Sequence, residues 1–109
     1  MTVMPRMPRS QFPEHGFFHA YGRGVDRMAI SRDDDDRVTW LALLERTIDR
    51  FDWDLHVYCL MPNHFHVVVE TDLCDLSKGL HRLNGVYAQR FNRRHGRVGH
   101  LFRSGSGCA

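Results

Sequence analysis

The stretch from Trp53 to Thr71 constrains the fold more than any other part of this chain. Trp53 to Leu60 (WDLHVYCL) alternates, with Trp53, Leu55, Val57 and Cys59 facing one way and Asp54, His56 and Tyr58 the other. Met61-Pro62-Asn63 has turn chemistry, and His64 to Thr71 (HFHVVVET) is rich in β-branched residues. Two extended runs joined by so short a connection form an antiparallel hairpin. A lone hairpin is marginal in water, so its apolar face needs a cover. Helices on either side can supply one. Upstream, Val38, Leu41, Leu44, Ile48 and Phe51 recur at helical spacing over roughly 18 residues. Ser31 or Asp33 can cap that helix, and the run Asp33 to Asp36 places negative charge on its positive dipole end. A solvated helix start accounts for the run better than a metal-binding acidic cluster does. Downstream, Asp75 is placed to cap a second helix whose stripe is Leu76, Leu80, Leu83, Tyr87 and Phe91, closed by His95-Gly96.

His15 to Tyr21 (HGFFHAY) is aromatic and bounded by glycines, and predicts a first strand, followed by a loop from Gly22 to Ser31. Val98 to Phe102 can begin a last strand. The order β-α-β-β-α-(β) predicts an α+β, ferredoxin-like domain: an antiparallel sheet with helices on one face. That domain is expected over 15–103, between an extended, proline-bearing lead-in over 1–14 and a Ser/Gly tail over 104–109. At 109 residues, 42% hydrophobic and 26% charged, the chain has the balance of one ordered domain and no room for two cores. No apolar run approaches the roughly 18 residues of a membrane span, and no secretory signal is visible. Cys59, Cys74 and Cys108 form no close pair. A cytoplasmic protein is the expectation, with no membrane partner.

The net charge is only +2, but it is unevenly spread. From Lys78 onward there are seven basic residues and no acid, whereas the preceding part holds eight against all 13 acids, a net of −5. A basic segment of that kind suggests a polyanionic partner. The chemistry concentrates in His64 and His66, two positions apart on a strand and therefore on one face, with Phe65, Val67 and Val69 on the other. Two neutral imidazoles so placed can share a divalent metal. Taken in isolation, a pair of this kind is better read as a polar face with no ligand role.

The surroundings bear on that choice. MPNHFHVVVE, the upstream AYGRGVDR and the downstream LNGVYAQRFNRRHGRVGHLFRSG together resemble the HUH-type tyrosine transposases that act on single-stranded DNA, in particular their REP-associated branch. The resemblance spans His15 to about Arg103. It implies a ferredoxin-like domain in which His64 and His66 bind Mg²⁺ or Mn²⁺, and a tyrosine that attacks a phosphate to leave a 5′-phosphotyrosine and a free 3′-hydroxyl. In that branch the tyrosine lies on a helix after the last strand, in a stretch resembling Y-x-x-x-N-P, with an Asn or Gln one turn beyond as third ligand. Nothing similar follows Phe102, so the expectation is a copy truncated before the tyrosine helix and inactive in cleavage by itself.

Tyr87 is the one candidate substitute, being helical with Gln89 and Asn92 nearby, yet its place between Leu83 and Phe91 favours a core residue. Tyr21 and Tyr58 lie on strands, and Tyr58 is expected to border the site beside His56. His19 and His56 are polar-face residues that could flank the metal; His81, His95 and His100 could touch phosphate when protonated. Arg23, in a glycine-flanked loop, can approach a DNA backbone closely. Arg82, Arg90, Arg93, Arg94, Arg97 and Arg103 are the remaining phosphate candidates, and six such contacts predict a log–log salt slope of about −4 on single strands. Phe17, Tyr58 and Phe102 could stack unpaired bases. The expected partner is single-stranded or hairpin DNA, with a homodimer possible because a lost covering helix would expose apolar surface. The competing reading is a DNA-binding module that does not cleave. An RNA-recognition sheet shares the topology, but its aromatic signatures are absent and the His pair argues against it.

Overall fold

The computed structural model describes residues 15–103. Its elements run β1 (His15–Arg23), a short 3₁₀ turn (Val25–Arg27), α1 (Asp34–Phe51), β2 (Asp54–Leu60), β3 (His64–Asp72) and α2 (Leu73–His95). The sheet order is β1-β3-β2, antiparallel throughout, so the hairpin β2-β3 is joined on its other side by the first strand. This is the expected α+β, ferredoxin-like arrangement, with three strands and two helices among the described residues.

The alternation along β3 determines which face is covered. Phe65, Val67, Val69 and Thr71 are buried, while His64, His66, Val68 and Glu70 between them are only partly so. The buried set joins Ala20 from β1, Trp40, Leu43 and Leu44 from α1, and Leu76, Leu80, Leu83, Tyr87 and Phe91 from α2 in one core. Burying one such aliphatic or aromatic side chain contributes about 1.5–3 kcal/mol, so this single face supplies most of the hydrophobic stabilisation. Both helices therefore lie on one side of the sheet, and the histidine side stays open.

Local chemistry fixes the helix ends. Asp33 caps α1 by accepting from the Asp36 amide at 3.1 Å. The cap of α2 is Asp72, not the expected Asp75: its Oδ1 accepts from the Asp75 amide at 2.8 Å, so the helix begins directly out of β3. At the far end Gly96 takes the left-handed conformation at φ 63 that stops α2.

Two further expectations are corrected. The alternation of β2 is interrupted by a bulge between Leu55 and Val57. The extra residue turns Tyr58 toward the helices, against Trp40 with ring centroids 6.2 Å apart, and Val57 and Cys59 toward the open side. Tyr58 thus does not border the histidines. Where the last strand is expected to begin, the described residues show an antiparallel bridge between Phe102 and Gly24 and the Arg103 amide donating to the Arg23 carbonyl at 2.7 Å, after Gly99 at φ 95. The acidic run is not wholly solvated either. Asp36 is 2% exposed and ties both helices together, accepting from the Arg32 amide, from Arg94 at 2.7 Å and from His95 at 2.9 Å.

Candidate metal and phosphate site

Because β1 and β2 both pair with β3, the register places a compact set of polar side chains on the open face. His19 lies opposite Val68, Tyr21 opposite His66 and Arg23 opposite His64 on one flank, with Cys59 opposite His66 on the other. The His64 and His66 rings stand 4.9 Å apart, nearly perpendicular, and His19 lies 4.8 Å from His66. Each ligand candidate has its Nδ1 in a hydrogen-bonded contact at 2.7 Å, His64 with the Asn63 side-chain oxygen and His66 with Nε2 of His19. An Asn oxygen only accepts, so His64 donates from Nδ1 in this contact, and the neutral ring with that tautomer has its lone pair on Nε2. Partial burial, then the neighbouring His19, His64 and Arg23, lower the His66 pKa, which favours the neutral ring that coordinates metals. The donor set suits a divalent cation. Among the described residues no group of three or more His, Cys, Asp or Glu converges to hold one, and His64 and His66 are the two candidate ligands.

Beside His64 opens a cleft of about 720 Å³ lined by Arg23, Gly24, Asp26, Arg27, Asn63, His64 and Arg103. Its wall is the loop after β1, and the sequence accounts for its shape. The Gly24 amide donates to the Asn63 carbonyl at 2.9 Å, the Val25 amide to Leu101 at 2.9 Å and the Ile30 amide to Pro62 at 2.7 Å, so the loop is stitched to the Met61-Pro62-Asn63 turn. A Cβ at Gly24 would lie 2.2 Å from the Met28 carbonyl oxygen, which leaves glycine as the fitting residue. Asp26 and Arg27 both hold positive φ, at 51 and 59. Non-glycine residues adopt that region at a cost of about 1–2 kcal/mol each, and the backbone hydrogen bonds from the Arg27 amide to the Gly24 carbonyl and from the Met28 amide to the Val25 carbonyl hold the turn that places Arg27 at the cleft.

The structure divides the arginine candidates. Arg23 and Arg103 share the cleft beside His64, and the Arg103 amide donates to the Arg23 carbonyl at 2.7 Å. Arg82 and Arg90 lie with Leu43, Arg46 and Thr47 in a groove between the helices, on the side of the sheet away from the histidines. Arg94 is committed to carboxylates: it donates to Asp33 at 2.6 Å and to Asp36 at 2.7 Å. That pairing lowers the Asp33 pKa to about 2. Arg97 is engaged by Asn92 Oδ1 at 2.7 Å and the His100 carbonyl at 3.1 Å, and Arg93 is exposed near the end of α2. Arg27 was missed from the sequence, although it closes the same AYGRGVDR stretch that flagged Arg23.

Other candidates resolve similarly. Tyr87 is 1% exposed, its hydroxyl donates to the Ile30 carbonyl, and burial raises its pKa. It is a core residue on the helical side. His95 stacks on Phe91 and contacts Asp36, and His56 contacts Glu70 at 3.5 Å at the far end of the sheet from His64. Phe17 is 66% exposed on the open face, stacked against His56, whereas Phe102 packs against Phe65 and Tyr87.

An antiparallel sheet with both helices behind it, and imidazoles and arginines grouped in front, defines a ferredoxin-like domain with a polar working face. The chain belongs to the IS200-like transposase family, whose model (Transposase IS200 like) matches residues 22–106. Membership makes this a protein of DNA transposition, with DNA as its partner. The same fold occurs in a solved chain described as a candidate transposase from Deinococcus radiodurans R1. The two are 14% identical and superpose with a TM-score of 0.63 over 85% of this chain and 70% of that one. No curated protein matches the sequence. No helix among the described residues is long and apolar enough to cross a membrane.

Proposed function

We propose that this chain binds single-stranded or hairpin DNA across the open sheet face during transposition and positions one phosphate beside His64 and His66. The observation that carries the reading is the adjacency of that His pair to a cleft lined by Arg23, Arg27 and Arg103. His64 and His66 would hold Mg²⁺ or Mn²⁺, which would supply charge neutralisation at a phosphate oxygen during strand cleavage and transfer. The chain's own groups do the rest. The guanidinium groups of Arg23, Arg27 and Arg103 bind and orient the backbone through charge-assisted hydrogen bonds. The Met61-Pro62-Asn63 turn and the glycine-bearing loop hold those groups in register with His64. Phe17 offers a face on which an unpaired base can stack.

In this reading the attacking tyrosine of the phosphotyrosine step is not one of the described tyrosines. Tyr87 is sealed in the core, Tyr58 faces Trp40, and Tyr21 sits on a strand beneath the Arg23 guanidinium, 5.7 Å from its ring. The chain supplies the binding and metal half of the reaction, and a different, tyrosine-bearing partner chain supplies the nucleophile.

Fluorescence anisotropy with a hairpin oligonucleotide carrying a single-stranded flank, compared with a blunt duplex of the same sequence, tests the binding half. Tighter binding to the flanked hairpin, strengthened by Mn²⁺ and losing that gain in His64→Ala, is expected. Equal affinity for the duplex, or a Mn²⁺ effect untouched by His64→Ala, refutes it. Covalent trapping under denaturing conditions separates this reading from the non-cleaving module: an adduct formed only when a tyrosine-bearing partner is added supports shared catalysis, and none under any condition leaves binding alone.

A further inference from the structure

Asn63 accounts for one ligand's orientation, and the partner of the other ligand is a third histidine. His19 projects from β1 onto the open face, where its Nε2 lies 2.7 Å from Nδ1 of His66. It lies outside the M-P-N-H-F-H stretch, 47 residues upstream of His66. It is exposed, so the apolar core gives it no packing role. Two arrangements of the shared proton are possible, and they have opposite consequences. If His19 donates, His66 carries its own proton on Nε2 and neither of its nitrogens is free for a cation. If His66 donates from Nδ1, His19 accepts and the His66 Nε2 lone pair is free, as it is for His64 beside Asn63. Metal binding at Nε2 therefore selects the second arrangement, and His19 is the acceptor that stabilises it.

We infer that His19 is the positioning residue of the metal site: it accepts a hydrogen bond from His66 Nδ1 and so fixes both the tautomer and the ring orientation that present Nε2. This rests on the metal reading proposed above. A direct ligand role for His19 is disfavoured, because its nearest nitrogen is already engaged by His66 and no three-residue ligand group converges among the described residues. Outer partners of ligating histidines commonly control affinity by roughly 10–100-fold.

The test uses the full chain with Mn²⁺ as the probe, measured by calorimetry, and two variants. His19→Val removes the acceptor while keeping a residue suited to a strand; His19→Gln retains an oxygen acceptor at similar reach. Mn²⁺ affinity is expected to fall about tenfold or more in His19→Val and to recover most of the loss in His19→Gln. On the Zn²⁺-loaded chain, long-range ¹H–¹⁵N correlation spectra should show His66 protonated at Nδ1 and bound through Nε2. A His19→Val affinity within twofold of the parent, or a His66 ring protonated at Nε2 with Zn²⁺ bound, overturns the positioning role while leaving the metal site standing. Failure of the parent chain to bind Mn²⁺ removes the metal site and this role together.

Discussion

The salt dependence of DNA binding separates the two surfaces on which arginines are found. Single-strand affinity falls with the logarithm of salt concentration at a slope of about −0.7 per neutralised phosphate. If the cleft beside His64 is the binding surface, Arg23, Arg27 and Arg103 set the number at three and the slope near −2, a loss of roughly 16-fold between 50 and 200 mM salt. If the basic C-terminal segment acted as a whole, six contacts would give a slope near −4 and a loss of roughly 250-fold. The perturbation is the double variant Arg27→Gln, Arg103→Gln, paired with Arg82→Gln, Arg90→Gln as a comparison. Anisotropy titrations of a labelled single strand at four salt concentrations give the slopes. The first pair should move the slope to about −0.7, and the second should leave it at the parent value, since Arg82 and Arg90 lie in the groove between the helices. A parent slope near −4 that the Arg82/Arg90 variant shifts by about 1.4 would refute the assignment and move the DNA to the helical side.

Three other outcomes follow from the packing. Gly22→Ala places a Cβ 2.4 Å from the Phe65 ring and should destabilise by about 1–3 kcal/mol, whereas Gly85→Ala, with open space in the middle of α2, should stabilise by about 0.5–1 kcal/mol; thermal unfolding of both reads the opposite signs. Asp33 has its folded pKa lowered to about 2 from 3.8, chiefly by the hydrogen bond from Arg94, so its contribution is complete above pH 4 and is lost as pH falls toward 2. Unfolding midpoints of the parent and Arg94→Gln should therefore differ at pH 6 and converge as pH falls through about 2; a gap unchanged by pH would contradict the pairing. Tyr87→Phe leaves the buried Ile30 carbonyl without its donor and should cost about 1–3 kcal/mol of stability in thermal unfolding, a loss that removing the hydroxyl of an exposed nucleophile would not produce.

What the sequence made legible was set by periodicity, and what it hid was set by distance along the chain. The strand His64–Asp72 was readable because its two-residue alternation is unbroken, and with it came the face on which His64 and His66 stand. The neighbouring strand was misread past Leu55. One inserted residue reverses the phase, and the only trace of it in WDLHVYCL is that Leu60 is apolar where the earlier alternation requires a polar residue. The basic segment was visible as charge, but its division was not. Arg94 meets Asp33 across 61 positions, and Arg82 and Arg90 point into a groove that exists only once both helices are packed. The candidate site follows the same rule. His64 and His66 are adjacent in sequence and were found there, while His19, Arg27 and Arg103 reach them through the β1–β3 register and the loop stitched onto the Met61-Pro62-Asn63 turn. A two-residue motif can thus mark candidate ligands in the sequence, but the groups proposed to orient them and to receive a phosphate are brought beside them only by the order in which the strands pair.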